Sequence, residues 1–157
     1  MIGQAHYNQD DQMEAANWYR RAIDEAGVAP RSIITSLLPT LMRGIFNPTS
    51  LDRPPKIKKS DEDIEMITHA LTSSAELGTV YLWESKVGKF LLNTINMVRV
   101  ARIIGPSGDS ANAIAIFAFL LSSVGLRKNS EKTAAQAVKM AAEYGDTLQN
   151  IAVQVLA

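Results

Sequence analysis

The stretch from Gly3 to Pro30 reads GQAHYNQDDQMEAANWYRRAIDEAGVAP, and it carries the most distinctive pattern in the chain. Apolar residues recur at helical spacing on both sides of a short polar segment, residues 8–11. Two aspartates in that segment, Asp10 and Asp11, are of the type that caps the start of a helix. The pattern therefore predicts two helices joined by a tight turn, an αα-hairpin.

Small residues mark this hairpin at three positions, and Pro30 closes it. Over residues 2–30 the pattern resembles the tetratricopeptide repeat, in which small residues lie where the two helices touch and a proline follows them. The segment WYRRA at 18–22 is similar to the second helix of related helical-hairpin repeats. The resemblance implies protein binding by a helical surface. The partner-binding residues that it implies are Tyr7, Trp18, Tyr19 and Arg20.

The hairpin also departs from the repeat. Asp10 stands where the repeat usually has a turn glycine, and Gln12 stands where an aromatic residue is usual. Only Met1 and Ile2 precede Gly3, so most of a first helix is missing. Because about three stacked repeats are needed to bury each other's apolar faces, we expect the chain to be a piece of a longer protein. The alternative is an alanine-rich amphipathic hairpin that mimics the pattern.

Composition describes one ordinary domain: 157 residues, of which 46% are hydrophobic and 20% charged. Sixteen basic and sixteen acidic residues cancel, so no overall charge attracts the chain to nucleic acid or to a membrane. The charges alternate along the chain, with six basic and one acidic residue in 31–60 and five acidic residues alone in 61–76. Such blocks favour contacts between segments of the same or neighbouring chains. The absence of cysteine excludes disulfides, thiolate catalysis and cysteine-ligated metals.

The middle of the chain divides it. Residues 30–46, PRSIITSLLPTLMRGIF, have apolar residues at helical spacing, and Pro39 is expected to kink or split that helix. Residues 47–59, NPTSLDRPPKIKK, contain three prolines and three lysines and are typical of an extended connector. We therefore predict a hairpin with a kinked helix over 1–46, a connector over 47–59 and a helical bundle over 60–157.

The bundle is predicted to contain about four helices, and no strand alternation occurs anywhere, so the fold class is all-α. The predicted spans are 60–77, 79–104, 111–126 and 129–144. Ser60 is the expected cap of the first span, and Gly78 is its expected end. The second span is the longest periodic run and is expected to be one central helix.

The later helices are predicted from two breaks. The turn GPSGDS at 105–110 offers Asp109 or Ser110 as the next cap, and Asn129 or Ser130 is the expected cap of the last helix. The run 113–121 is uncharged and apolar on all sides. Because a membrane span needs about 20 apolar residues, we expect a buried bundle helix there. The N-terminus has no charged-then-apolar signal segment, and cytoplasmic residence is the expectation.

The sequence contains no clear motif for catalysis or metal binding. His6 and His69 lie far apart, and neither has the spacing of a metal-binding motif. The acidic cluster at 61–65 stands at the start of a capped helix, where carboxylates complement the helix dipole. We therefore expect no enzyme activity, and we assign no catalytic residue, metal site or cofactor.

Two hypotheses of function follow. The first is a non-enzymatic interaction or scaffold module that assembles with copies of itself or with other protein subunits. It is motivated by the very apolar C-terminal half and by the incomplete repeat, which would leave an unburied face near Ile2, Tyr7, Trp18 and Tyr19. The alternative, which is less favoured, is a helical coat or nucleocapsid-like protein whose lysines contact phosphates. The residues of that polyanion patch are Lys56, Lys58, Lys59, Lys86 and Lys89.

Overall fold

A computed structural model describes residues 12–30, 32–46, 60–146 and 153. These residues form six α-helices and one π-helical turn, and none of them lies in a strand, so the predicted all-α fold class is confirmed. The elements are α1 (Gln12–Glu25), the π-helical turn (Ile33–Leu37), α2 (Leu38–Phe46), α3 (Asp61–Trp83), α4 (Val87–Ile104), α5 (Gly108–Ser123) and α6 (Arg127–Tyr144). The first helix of the predicted hairpin and the connector 47–59 lie outside the described residues.

Helix α1 packs against α3 through one face. Ala15, Tyr19 and Ile23 recur every fourth residue, which places them on the same side of the helix. All three are buried in a core cluster that also contains Ile67 and Leu71 of α3. Residues on the two sides of the predicted connector therefore share one hydrophobic core.

Pro39 divides the segment 33–46, as the sequence predicts. The π-helical turn begins after Ser32, whose hydroxyl accepts a hydrogen bond from the main-chain nitrogen of Thr35 at 3.5 Å. It ends at Leu37, and α2 starts one residue before the proline. A π-turn there suits proline, which cannot donate a main-chain hydrogen bond to a continuous helix. Leu37 is buried against α4 and α5 residues of a second core cluster.

Helix α3 begins as predicted and ends later than predicted. The hydroxyl of Ser60 accepts a hydrogen bond from the main-chain nitrogen of Asp63 at 3.1 Å, which confirms the cap. Gly78, however, does not end the helix, which continues to Trp83. Gly78 is buried where α3 approaches α4, and a Cβ there would lie 3.2 Å from the side-chain nitrogen of Asn93. Its role is close packing of two helices, so the prediction of a helix end was wrong.

The predicted central helix over 79–104 is also wrong, because the chain reverses within it. Ser85 adopts a φ of 55°, and the main-chain nitrogen of Lys86 donates to the carbonyl of Tyr81 at 2.8 Å. These are features of a helix C-terminus. The apolar pattern runs through the turn because α3 and α4 both bury residues in the same core. Gly88, at the start of α4, faces open space and mediates no close approach.

Two predicted caps are corrected. Ser107, rather than Asp109 or Ser110, caps α5 by accepting a hydrogen bond from the main-chain nitrogen of residue 110 at 3.1 Å. The hydroxyl of Ser110 is buried and donates to the carbonyl of Gly105 at 2.7 Å. Helix α6 starts at Arg127 without a side-chain cap.

Ser130, one of the two residues expected to cap α6, instead joins that helix to α5. Its buried hydroxyl donates to the carbonyl of Ala118 at 2.8 Å. A hydroxyl in this position satisfies its hydrogen-bonding need inside the helix interface. Asn129 is the alternative that was expected to cap α6. Its side-chain nitrogen donates a hydrogen bond to the carbonyl of Ile45, which connects the end of α2 to the bundle.

Helix α5 is the most buried helix of the bundle, as the sequence predicts. Phe117 is fully buried between α4 and α6, whereas Phe119, two residues later, is 52% exposed. Within the part of the chain that the structure describes, no helix combines the length and apolar character that a membrane crossing requires.

Candidate interaction surface

The structure separates the residues that the repeat resemblance implies. Tyr19 is 6% exposed and lies in the core between α1 and α3, so the expected unburied face does not include it. The reason is its helical position, four residues from both Ala15 and Ile23. Tyr7 lies outside the described residues.

Trp18 and Arg20 remain accessible in part. The guanidinium of Arg21 lies 5.1 Å from the ring centroid of half-buried Trp18, which is a cation–π distance. Met13, five residues earlier on α1, is 72% exposed. Arg20 instead turns towards α3, where its Nε donates to the hydroxyl of Tyr81 at 3.2 Å. The outer face of α1 thus presents Met13 and Trp18 but not the full predicted set.

Only two residues of the predicted polyanion patch fall within the described residues. Lys86 forms an ion pair with Glu84 at 2.9 Å, and this pairing offsets its charge. The Nζ of Lys89 lies 5.8 Å from the ring centroid of Tyr81. Lys56, Lys58 and Lys59 lie outside the described residues. The structure therefore brings Arg20 and Lys89, one residue from each predicted set, together at Tyr81.

Among the described residues, one row of exposed apolar side chains was not singled out by the sequence reasoning. It runs along the outer side of the π-helical turn and α2, with a residue at every fourth position, and we call it the outer stripe. Its members and exposed fractions are Ile34 at 72%, Leu38 at 45%, Met42 at 45% and Phe46 at 76%. The neighbouring Ile33 is 58% exposed.

The opposite side of the same segment is the one that packs inward. Leu37 is buried in the second core cluster, and Leu41 and Ile45 pack against it. The signal was present in the sequence, because residues 33–46 have apolar side chains on two faces, more than one buried face requires. A single core can cover one of those faces. The outer stripe is the face that the described residues leave uncovered.

Positive charge accompanies the outer stripe. Arg43 is exposed on α2, and the pKa of Arg102 on α4 is lowered by burial and, to a smaller extent, by the charge of Arg43. The Nε of Arg102 is buried and has no hydrogen-bond partner among the described residues. No ion pair with a carboxylate involves either arginine in the same part of the chain. This surface is therefore apolar, with an arginine beside it that no carboxylate of the described residues pairs with.

The described residues contain no group of three or more histidine, aspartate or glutamate side chains placed to hold a metal ion. His69 lies on the exposed face of α3, with Nε2 3.9 Å from a carboxylate oxygen of Glu65. The features that stand out are thus surfaces suited to contact. No protein-family model, curated protein or solved structure matches this chain.

Proposed function

We propose that this protein is a non-enzymatic assembly subunit that binds other protein subunits, copies of itself among them, through the outer stripe. The observation that supports this most is the stripe itself: four large apolar side chains at every fourth position of the π-helical turn and α2, 45% to 76% exposed. Single exposed apolar residues are common on soluble proteins, but a continuous row of them usually marks an interface.

The spacing of the stripe favours a helix as its partner. Side chains at every fourth position form a ridge along a helix, and such a ridge packs into the groove between ridges of a second helix. Leu38, Met42 and Phe46 have this spacing on α2, and Ile34 extends the row into the π-helical turn. The partner surface is therefore expected to be an amphipathic helix.

A second copy of this chain offers a surface of complementary charge. The first turn of α3 carries three acidic residues, Asp61 to Asp63, and all are exposed. Glu65 and the 43% exposed Met66 follow on the same helix. Carboxylates beside an apolar residue match the charge of Arg43 beside the outer stripe, and opposite charges favour the correct encounter of two surfaces. We therefore propose self-association between the outer stripe of one copy and the start of α3 of the next.

Reversing the charge of Arg43 tests this arrangement. Arg43→Glu would place a carboxylate opposite the acidic turn, and we expect it to weaken self-association at low salt and less at high salt. The measurement is sedimentation velocity over a range of protein concentrations. Lys139→Glu, the same charge reversal at an exposed position of α6, is the matched control and should leave the association unchanged. Equal behaviour of the two variants would contradict the proposed contact.

The nucleic-acid alternative has less support among the described residues. Of its five lysines, Lys86 is paired with Glu84 and Lys89 lies beside an aromatic ring. Phosphate binding needs several unpaired cations on one surface, because each contact releases counterions from the nucleic acid. Salt-dependent binding of single-stranded RNA, lost on reversing Lys86 and Lys89, would overturn the preference for protein assembly.

A further inference from the structure

A cleft opens between α1, the residues that follow it, α3 and α4, and we call it the Tyr81 cleft. Its volume is about 350 Å³, at the small end of the range for small-molecule sites. Its apolar wall is formed by Ile23, Leu77 and Leu92, with Ala29 and Pro30 at the edge. The cleft is thus large enough for a small molecule and is mostly aliphatic.

Two cations flank one aromatic ring in this cleft. The guanidinium of Arg20 lies 5.6 Å from the centroid of Tyr81, and the Nζ of Lys89 lies 5.8 Å from it. Arg20 also donates to the Tyr81 hydroxyl and, at 2.9 Å, to the side-chain oxygen of Asn17. Neither cation forms an ion pair with a carboxylate of the described residues. Asp24 is the one acid among the described residues that line the cleft, and these residues together carry a net charge of one positive unit.

Two buried amides complete the lining. Asn93 is 9% exposed and Asn96 is 3% exposed, and each has one side-chain atom in a hydrogen bond: Asn93 to another helix and Asn96 within α4. The nitrogen of Asn93 donates to the carbonyl of Ser74 at 2.6 Å, and the oxygen of Asn96 accepts from Nε of Arg99 at 3.0 Å. Arg99 in turn donates to the carbonyl of Val28 and so holds the loop against α4.

These bonds leave one polar atom of each amide for a ligand. No described residue forms a hydrogen bond with the oxygen of Asn93 or with the nitrogen of Asn96. Neither atom belongs to the fully buried polar atoms that have no partner, so both reach solvent and can bind a polar group of a ligand in the cleft. Asn96 can donate a hydrogen bond to an anion beside the two cations. The aliphatic wall has no hydrogen-bonding groups and suits an apolar part of the ligand.

We propose that the Tyr81 cleft binds a small monoanion with a short apolar body, such as a medium-chain carboxylate. The carboxylate lies between Arg20 and Lys89, and the apolar body lies against Ile23, Leu77 and Leu92. A charged hydrogen bond to arginine is stronger than a neutral one, and the net charge of the cleft matches a single negative charge. A dianion would exceed that charge and would lose hydration against the aliphatic wall.

Calorimetric titration with octanoate tests the proposal, with octanol and octylamine as neutral and cationic ligands of the same chain length. We expect saturable binding of one octanoate per chain and at least tenfold weaker binding of both comparison ligands, because only octanoate pairs with the cations. Absence of saturable octanoate binding, or equal binding of octanol, would overturn the proposal.

Three variants locate the site. Arg20→Gln and Lys89→Gln should each weaken octanoate binding about tenfold, the usual effect of losing one charge-assisted contact. Lys86→Gln removes the same charge at a nearby residue that does not line the cleft, and it should bind octanoate as the wild type does. Thermal unfolding of each variant confirms that the fold is intact. If all three variants bind equally well, or if Lys86→Gln alone weakens binding, the cleft is not the site.

Discussion

The side-chain nitrogen of Asn93 lies 2.6 Å from the carbonyl oxygen of Ser74, and this hydrogen bond joins α4 to α3 inside the core. Gly78 lies one turn further along α3, where a Cβ would approach the same nitrogen to 3.2 Å. The amide is therefore held on one side and crowded on the other. This contact sets the separation of the two helices that form the floor of the Tyr81 cleft.

Replacing Gly78 by alanine should destabilise the protein. The new methyl group would meet an amide that its hydrogen bond prevents from moving, and crowding in a packed core costs about 1–3 kcal/mol. Gly88→Ala is the matched control, because that position faces open space and alanine is the better helix former by about 0.5–1 kcal/mol. Urea unfolding should show opposite signs for the two variants. A stabilising Gly78→Ala would contradict the close approach of α3 and α4.

Two phenylalanines in α5 should differ sharply in their contribution to stability. Phe117 is fully buried, so Phe117→Ala is expected to lower the free energy of unfolding by about 3–5 kcal/mol. Phe119 is 52% exposed, and Phe119→Ala should change it by about 0.5 kcal/mol or less. Chemical denaturation of both variants measures the difference. Similar losses from the two substitutions would mean that α5 is rotated from the orientation described.

The corrected cap of α5 gives a third prediction. Ser107→Ala removes the acceptor for the main-chain nitrogen of residue 110 and should cost about 1 kcal/mol. Ser123→Ala is the control, since that exposed hydroxyl only donates back to the carbonyl of Phe119 within its own helix. Its effect on the free energy of unfolding should be near zero. If Ser107→Ala left the free energy of unfolding unchanged, Asp109 or Ser110 would have to be the cap of α5 instead.

Tyr144 provides a prediction about pH. The neighbouring carboxylate of Glu143, which can accept a hydrogen bond from the phenol hydroxyl and carries negative charge, raises the pKa of exposed Tyr144 above its ordinary value. The raised folded-state pKa makes any contribution to stability complete at neutral pH and lost as the pH rises through the folded pKa. The difference in tyrosinate absorbance between wild type and Tyr144→Phe measures the titration. Glu143→Gln should lower the pKa of Tyr144 towards its ordinary value. An unchanged titration of Tyr144 in this variant would contradict its interaction with Glu143.

Local chemistry in the sequence predicted much of the fold. The Ser60 cap, the break at Pro39 and the burial of α5 each depend on a few neighbouring residues or on periodicity alone. The turn at Ser85 could not be seen in that way. Both helices around it bury side chains in the same core, so the apolar pattern continues while the chain reverses. Gly78 was misread for a related reason, because a glycine that allows close packing looks the same as one that ends a helix.

The candidate sites were less accessible to sequence reasoning. Arg20 and Tyr81 are 61 positions apart, and their hydrogen bond depends on how α1 packs against α3. Arg20 and Lys89 were each singled out in the sequence, but for different functions. They lie together beside Tyr81 because of the tertiary packing of the helices. The outer stripe has a sequence signal in its two apolar faces. Which of those faces the core covers is decided by packing.

The solution mass of the purified chain tests the central proposal most directly. We predict that light scattering at both low and high salt finds a defined oligomer, because association depends mainly on apolar packing. Leu38→Gln combined with Met42→Gln should yield a folded monomer, whereas Leu82→Gln combined with Val124→Gln removes exposed apolar residues elsewhere and should leave the oligomer intact. A wild-type chain that stays monomeric at all concentrations, or a stripe variant with the wild-type mass, would contradict assembly through the outer stripe.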